Sequence, residues 1–209
     1  VHMIMEAFDD PVFKEMVNGA MIVTPDGMPL VWALRALGLL SAERVYGPML
    51  LSLVCQRASE TGIAVGFYGG SKDVLDKMTK ILKLMFPMLN ITYAFSPPFT
   101  DLSSSEDETV IREIQASESR ILFVGIGCPK QEKWMAEHKG KISCVMLGVG
   151  AAFDFLAGTK SQAPHLFQKI GLEWLFRLFS EPRRLWKRYL YNNPRFVFHF
   201  VNQLVFHHK

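Results

Sequence analysis

Through the first 150 residues the chain alternates short apolar runs with longer amphipathic stretches. That alternation predicts strands near Ala20–Val23, Ile63–Tyr68, Leu89–Phe95, Ile121–Gly125 and Cys144–Gly148. It predicts helices near Pro29–Leu37, Pro48–Thr61, Lys72–Phe86, Glu106–Gln115 and Pro129–His138. Strands separated by helices build an α/β domain with a mostly parallel sheet, because a parallel pair needs a long crossover. Pro48 and Pro129 suit a first helical turn, and Ser71 and Ser105 suit N-caps. From about Pro164 the pattern turns wholly helical and is broken at Pro182 and Pro194. The expected organisation is therefore a sheet domain over residues 1–160 and a helical appendage over 161–209.

Open α/β sheets bind ligands outside the carboxyl ends of their strands, and here those ends carry the unusual residues. They read Thr24-Pro25-Asp26-Gly27, Gly69-Gly70-Ser71, Gly125-Ile126-Gly127-Cys128-Pro129-Lys130-Gln131-Glu132 and Gly148-Val149-Gly150. Glycines ahead of a helix let backbone approach a phosphate, so one crevice for a nucleotide diphosphate is the natural expectation. Neither glycine cluster is a dinucleotide fingerprint, since Lys130 and Phe153 stand where a third glycine belongs, which makes a nucleotide-dependent oxidoreductase the weaker reading. Asp26 is placed to take a proton from a hydroxyl nucleophile or to cap the following helix. Arg44 suits either a phosphate or a nearby acid such as Glu43. Gln131 suits a sugar or uracil group, and Glu132 suits a helix dipole without further function. Asp154, among apolar neighbours, needs a partner if buried.

Charge changes the picture more than composition does. The 209 residues are 49% hydrophobic and 21% charged, enough for a sizeable core, and a net charge of +3 argues against a dedicated nucleic-acid binder. The charge is nevertheless divided. Residues 160–209 hold nine Lys/Arg against two Asp/Glu, leaving fourteen against eighteen before them. The basic segment is also aromatic, from Phe167 and Trp174 to Phe200 and Phe206, a combination suited to an anionic membrane surface. No apolar run is long enough to span a bilayer. No secretory leader pattern opens the chain. Cys55, Cys128 and Cys144 lack disulfide or zinc spacing, and His2, His138, His165, His199, His207 and His208 lack ligand spacing. No D-x-D, H-E-x-x-H or G-x-S-x-G motif occurs.

Val23–Pro29, Glu43–Pro48, Phe67–Gly70, Val124–Trp134, Gly148–Gly158, Gly171–Leu178 and Glu181–Arg184, in that order, resemble the WecG/TagA/CpsF glycosyltransferases. The resemblance implies a Rossmann-like sheet with a C-terminal appendage. It implies an inverting bacterial enzyme that moves a sugar, often N-acetylmannosamine, from a UDP donor to N-acetylglucosamine on polyprenyl diphosphate. Such enzymes work peripherally on the cytoplasmic membrane face in teichoic acid, common-antigen or exopolysaccharide synthesis, without a metal or other cofactor. It assigns Asp26 as base, Arg44 to the departing UDP and Gln131 to substrate positioning. Thr24, Gly27, Gly69, Gly70, Gly125, Gly127, Pro129, Lys130, Glu132, Gly148, Gly150 and Asp154 become substrate-binding candidates. Arg183, Arg184 and Arg188 are expected to face the lipid diphosphate, and a homo-oligomer is the remaining partner class. Two departures stand out: Phe95-Ser96-Pro97-Pro98-Phe99 replaces a G-Y-F segment, and the T-x-N-like segment that precedes Val1 in relatives is lacking. The second departure leads to the expectation of an N-terminally incomplete chain, with a catalytically incomplete binding or membrane-tethering module as the alternative function.

Overall fold

The computed structural model describes residues 1–98 and 100–206. Phe99, His207 and His208 lie outside the described residues. The chain divides into two compact units, residues 47–161 and residues 1–46 together with those from 162 on.

The first unit is the sheet. Its elements run α4 (Gly47–Thr61), β1 (Val65–Gly69), α5 (Lys72–Met85), β2 (Ile91–Phe95), α6 (Ser104–Ala116), β3 (Ile121–Gly125), α7 (Lys130–His138), β4 (Val145–Gly148) and α8 (Ala152–Leu156), after α1 (His2–Asp9), α2 (Pro11–Asn18) and α3 (Met28–Ala36) of the other unit. All strand pairs are parallel, in the order β2-β1-β3-β4. The sheet is covered on both faces. Val65, Phe67 and Phe123 point to one side with Leu51, Cys55, Met78, Leu82 and Phe153, while Tyr68, Leu122 and Val124 point to the other with Val110, Ile114 and Trp134. Two-sided burial explains why β1 is continuously apolar or glycine rather than alternating. Phe67 stacks on Phe123 and meets the edge of Phe153.

Four of the predicted strands and all five predicted helices are present, with ends that coincide or move by at most two residues. Ala20–Val23 is a correction, because it forms no strand and leaves Met21 95% exposed. A short apolar run becomes a strand only beside a ladder partner, and none adjoins it among the described residues. Ser103 replaces Ser105 as the N-cap of α6: it accepts from Glu106 N while Glu106 reaches back to Ser103 N, a capping box. Pro129 is the N-cap of α7 rather than a first-turn residue. His138 is buried, with Nδ1 on the Trp134 carbonyl and Nε2 on Asp107.

The second unit is helical: α1, α2 and α3, then α9 (His165–Lys169), α10 (Glu173–Ser180) and α11 (Pro182–Phe206). Residues 1–46, expected with the sheet, group with these C-terminal helices because they contribute no strand and α1 packs on α2 and α11. Asp10 caps α2 through the amides of Val12 and Phe13, with Pro11 in the first turn. Pro182 opens α11. Pro194, expected to break the helix, sits inside it, and the helix continues to Phe206. Arg195 of α11 bridges both carboxylate oxygens of Asp9, an anchor to α1 that offsets part of the proline's cost. No helix among the described residues is long and apolar enough to cross a membrane.

Candidate functional site

The sequence candidates fall into two groups, one in each unit.

In the sheet unit, β1, β3 and β4 end side by side. Gly69 pairs with Gly125 across the parallel ladder, and Gly70 N donates to Gly125 O at 3.3 Å. Beyond β3 the chain passes Gly127 and Pro129 into α7, whose first turn carries Lys130, Gln131 and Glu132. Gln131 is buried and both ends of its amide are engaged. Oε1 accepts from Gly150 N at 2.9 Å and Nε2 donates to Glu132 Oε1 at 2.8 Å. This arrangement fixes the amide's orientation, since only Nε2 can donate to the carboxylate. Gly148 makes room for it: a Cβ there would lie 2.9 Å from Gln131 Nε2. Gln131 thus fastens α7 to the end of β4. The second oxygen of Glu132, Oε2, is buried without a hydrogen-bond partner among the described residues, an acceptor placed for an incoming donor.

Two further candidates in this unit are held by neighbours. Lys130 pairs with Asp101 at 2.8 Å, and this ammonium holds the Asp101 carboxyl below its usual range. Asp154 pairs with Lys160 at 3.2 Å and accepts from Thr159 Oγ1, so its partner comes from the turn after α8.

In the helical unit, a cavity of about 880 Å³ is lined by Asp26, Gly27, Arg44, Glu173, Arg177 and Arg188, and also by Trp174, Tyr189, Phe196, Val197 and Val201. Gly27, not Asp26, is the N-cap of α3, and no side chain caps that end. The Asp26 carboxylate is therefore exposed and not engaged as a cap. Its backbone is firmly held. Val45 N donates to Pro25 O at 3.0 Å, and Arg44 Nε donates to Asp26 O at 2.6 Å. Arg44 Nη1 donates to Gln168 at 3.0 Å, Nη2 pairs with Glu173, and the guanidinium lies 4.1 Å from the Tyr46 ring centroid. The acid facing Arg44 is Glu173, not Glu43.

Thr24 is outside the cavity, its hydroxyl turned to the Val45 carbonyl at 3.5 Å. Arg183 is exposed at the start of α11, and Arg184 donates to Glu181 at 2.6 Å; of the three appendage arginines only Arg188 lines the cavity. Gln168, Glu173 and Arg177 were missed by residue-level reasoning. For the last two a signal existed, because Glu173 and Arg177 stand four apart on one face of α10. Gly171 before them is sterically required, since a Cβ there would come within 2.5 Å of the Trp32 ring. Among the described residues no three His, Cys, Asp or Glu side chains gather as a metal ligand set.

The chain is similar to the N-acetylglucosaminyldiphosphoundecaprenol N-acetyl-beta-D-mannosaminyltransferases of Staphylococcus aureus strains MW2, NCTC 8325 and MRSA252, each 33% identical over 177 residues. The match covers 84% of this chain and 66% of each relative's length. The model of the glycosyl transferase WecG/TagA/CpsF family matches residues 1–209 throughout, and the chain belongs to that family.

Proposed function

We propose that the chain is the catalytic part of an inverting glycosyltransferase that moves N-acetylmannosamine or a related hexose from UDP to N-acetylglucosamine on a polyprenyl diphosphate. The observation carrying this reading is the cavity in which the uncapped Asp26 carboxylate shares walls with Arg44, Arg177 and Arg188 and with an apolar side of α11. In the reaction the acceptor hydroxyl oxygen bonds to the anomeric carbon, its proton passes to Asp26, and the sugar–phosphate bond breaks with its electron pair leaving on UDP. Arg177 and Arg188, rather than Arg44, are the cavity arginines assigned to the diphosphate charge, which they would stabilise electrostatically without a cofactor. In the sheet unit, the buried Glu132 Oε2 is by itself an acceptor suited to a hydroxyl or an imide N–H.

A lipid-linked acceptor also needs an apolar path. Trp186, Leu190, Val197 and Val201 of α11 fall within an arc of about 60° at the helical repeat and are all exposed. Val197 and Val201 belong both to this stripe and to the cavity wall. With Arg183, Arg184 and Lys187 at the start of the same helix, the stripe supports peripheral attachment to the cytoplasmic face of an anionic membrane. The name of the similar staphylococcal enzymes supports the acceptor class, and teichoic acid or related surface polysaccharide is the corresponding product.

The test is UDP release from UDP-N-acetylmannosamine with a short polyprenyl-diphosphate N-acetylglucosamine. Asp26→Asn is expected to lower turnover about 10²–10⁴-fold. Near-wild-type turnover would remove Asp26 as the base. Flotation on vesicles containing anionic lipid tests attachment: charge reversal at Arg183, Arg184 and Lys187 should abolish it, and undiminished flotation would remove α11 as the contact.

A further inference from the structure

Arg44 is the family's expected contact for the departing diphosphate, yet its fork is already in use inside the helical unit. A guanidinium that receives a diphosphate presents two nitrogens side by side to the ligand. Here Nε donates to the Asp26 carbonyl, Nη1 to Gln168 and Nη2 to Glu173, with the flat face on Tyr46. The side chains of Arg44 and Glu173 are only 13% and 26% exposed, so parting them would leave a charge poorly solvated. The loop it grips has few other restraints. Residues 20–26 belong to no helix or strand, and no side chain caps the start of α3. What sets the direction of the Asp26 carboxylate is its own backbone, tied at Pro25 O by Val45 and at Asp26 O by Arg44.

We infer that Arg44, Glu173 and Gln168 form a clamp on the Asp26 peptide, with Glu173 the positioning residue that holds Arg44 in the orientation its Nε needs. Glu173 acts through Arg44 rather than on substrate. A general base works with its oxygen about 2.6–3.2 Å from the atom that bears the proton, or through one water, and a displacement of 1 Å costs up to about 10²-fold in rate. The inference rests on the proposed role of Asp26 for its consequence in catalysis, though the clamp itself can be measured without turnover.

Two measurements on the full chain test it. In the first, amide hydrogen exchange without ligand follows the Val45 N–H, which bonds to Pro25 O. Glu173→Gln and Arg44→Lys should each speed that exchange at least tenfold while amides in β1 and β3 keep their rates. Unchanged exchange at Val45 in both variants would overturn the clamp. In the second, steady-state kinetics should show kcat falling 10- to 100-fold in each variant, with the KM for the UDP-sugar and the Kd for UDP within twofold of wild type. The double variant should fall no further than the lower single, and Glu173→Asp should recover part of the rate. A tenfold rise in UDP Kd for Arg44→Lys with kcat retained would overturn the inference and make Arg44 a diphosphate ligand. If wild type and Asp26→Asn turn over equally, the functional reading fails, while the exchange result still decides the clamp.

Discussion

Replacing Gln131 by Leu tests whether this side chain reads substrate or builds the sheet unit's binding edge. Leu has nearly the same volume but can neither accept from Gly150 N nor donate to Glu132. An amide left unpaired in a part-buried setting costs about 1–3 kcal/mol, and loss of the charge-assisted bond to Glu132 costs a similar amount. The more apolar side chain at this buried site recovers about 1–2 kcal/mol. The net expectation is a loss of about 0–5 kcal/mol. With a urea slope of roughly 2 kcal/mol/M, a loss of about 2 kcal/mol moves the unfolding midpoint down by about 1 M. Trp134, one turn along α7, reports the transition by fluorescence. Gln131→Glu should also destabilise, because it puts a second carboxylate beside Glu132. A Leu variant that unfolds at the wild-type urea concentration but no longer binds UDP would refute the structural account and return Gln131 to the substrate.

Gly69→Ala should destabilise by about 2–6 kcal/mol in thermal or urea unfolding, because φ is +127° and a Cβ would lie 2.6 Å from the Gly125 backbone; a loss under 0.5 kcal/mol would contradict that geometry. Phe153→Ala, removing a ring 1% exposed against Phe67, should cost about 3–5 kcal/mol by the same measurement. Burial pushes the Cys55 thiol up to about 12 and the Cys144 thiol to about 11, from an ordinary value of 9.0. Both are neutral in the fold and ionise in the unfolded chain, so their contribution is whole below pH 9.0 and lost as pH rises toward those values. Unfolding midpoints from pH 8 to 11 should therefore fall, less steeply in Cys55→Ala, and a thiol reagent at pH 8 should leave Cys55 unmodified until the chain unfolds; prompt native-state labelling of Cys55 would refute its burial. The Arg195 guanidinium lowers the Asp9 carboxyl, so the tie between α1 and α11 should hold above the ordinary carboxylate pKa of 3.8 and weaken as pH falls through the lower folded value. Helix content followed in acid titrations of wild type and Asp9→Asn should differ above that range and converge below it.

The sheet was legible because its signals are local. Each strand is a short apolar run closed by glycine or polar residues, and each crossover helix has its own amphipathic period. The Asp10-Pro11 cap and first-turn pair was equally local, and reading it would have found α2 and the break before it. Ala20–Val23 failed for the opposite reason, since its apolar character gives a tendency that only a neighbouring strand can fulfil. Pro194 failed because a proline's local cost was not weighed against packing along the rest of α11.

What the sequence by itself determined is the chemistry available and the order in which it arrives: glycine-bearing strand ends, a P-D-G carboxylate, a basic aromatic C-terminal stretch, and the family pattern joining them. What only the tertiary structure decided is which of those groups remain open to a ligand. Arg44 finds Glu173 across 129 positions and Gln168 across 124, and Gln131 finds Gly150 across 19. No periodicity spans such separations. A hydrogen-bonding side chain looks the same in sequence whether it awaits a substrate or is already satisfied by the chain, and only the folded distances tell the two apart.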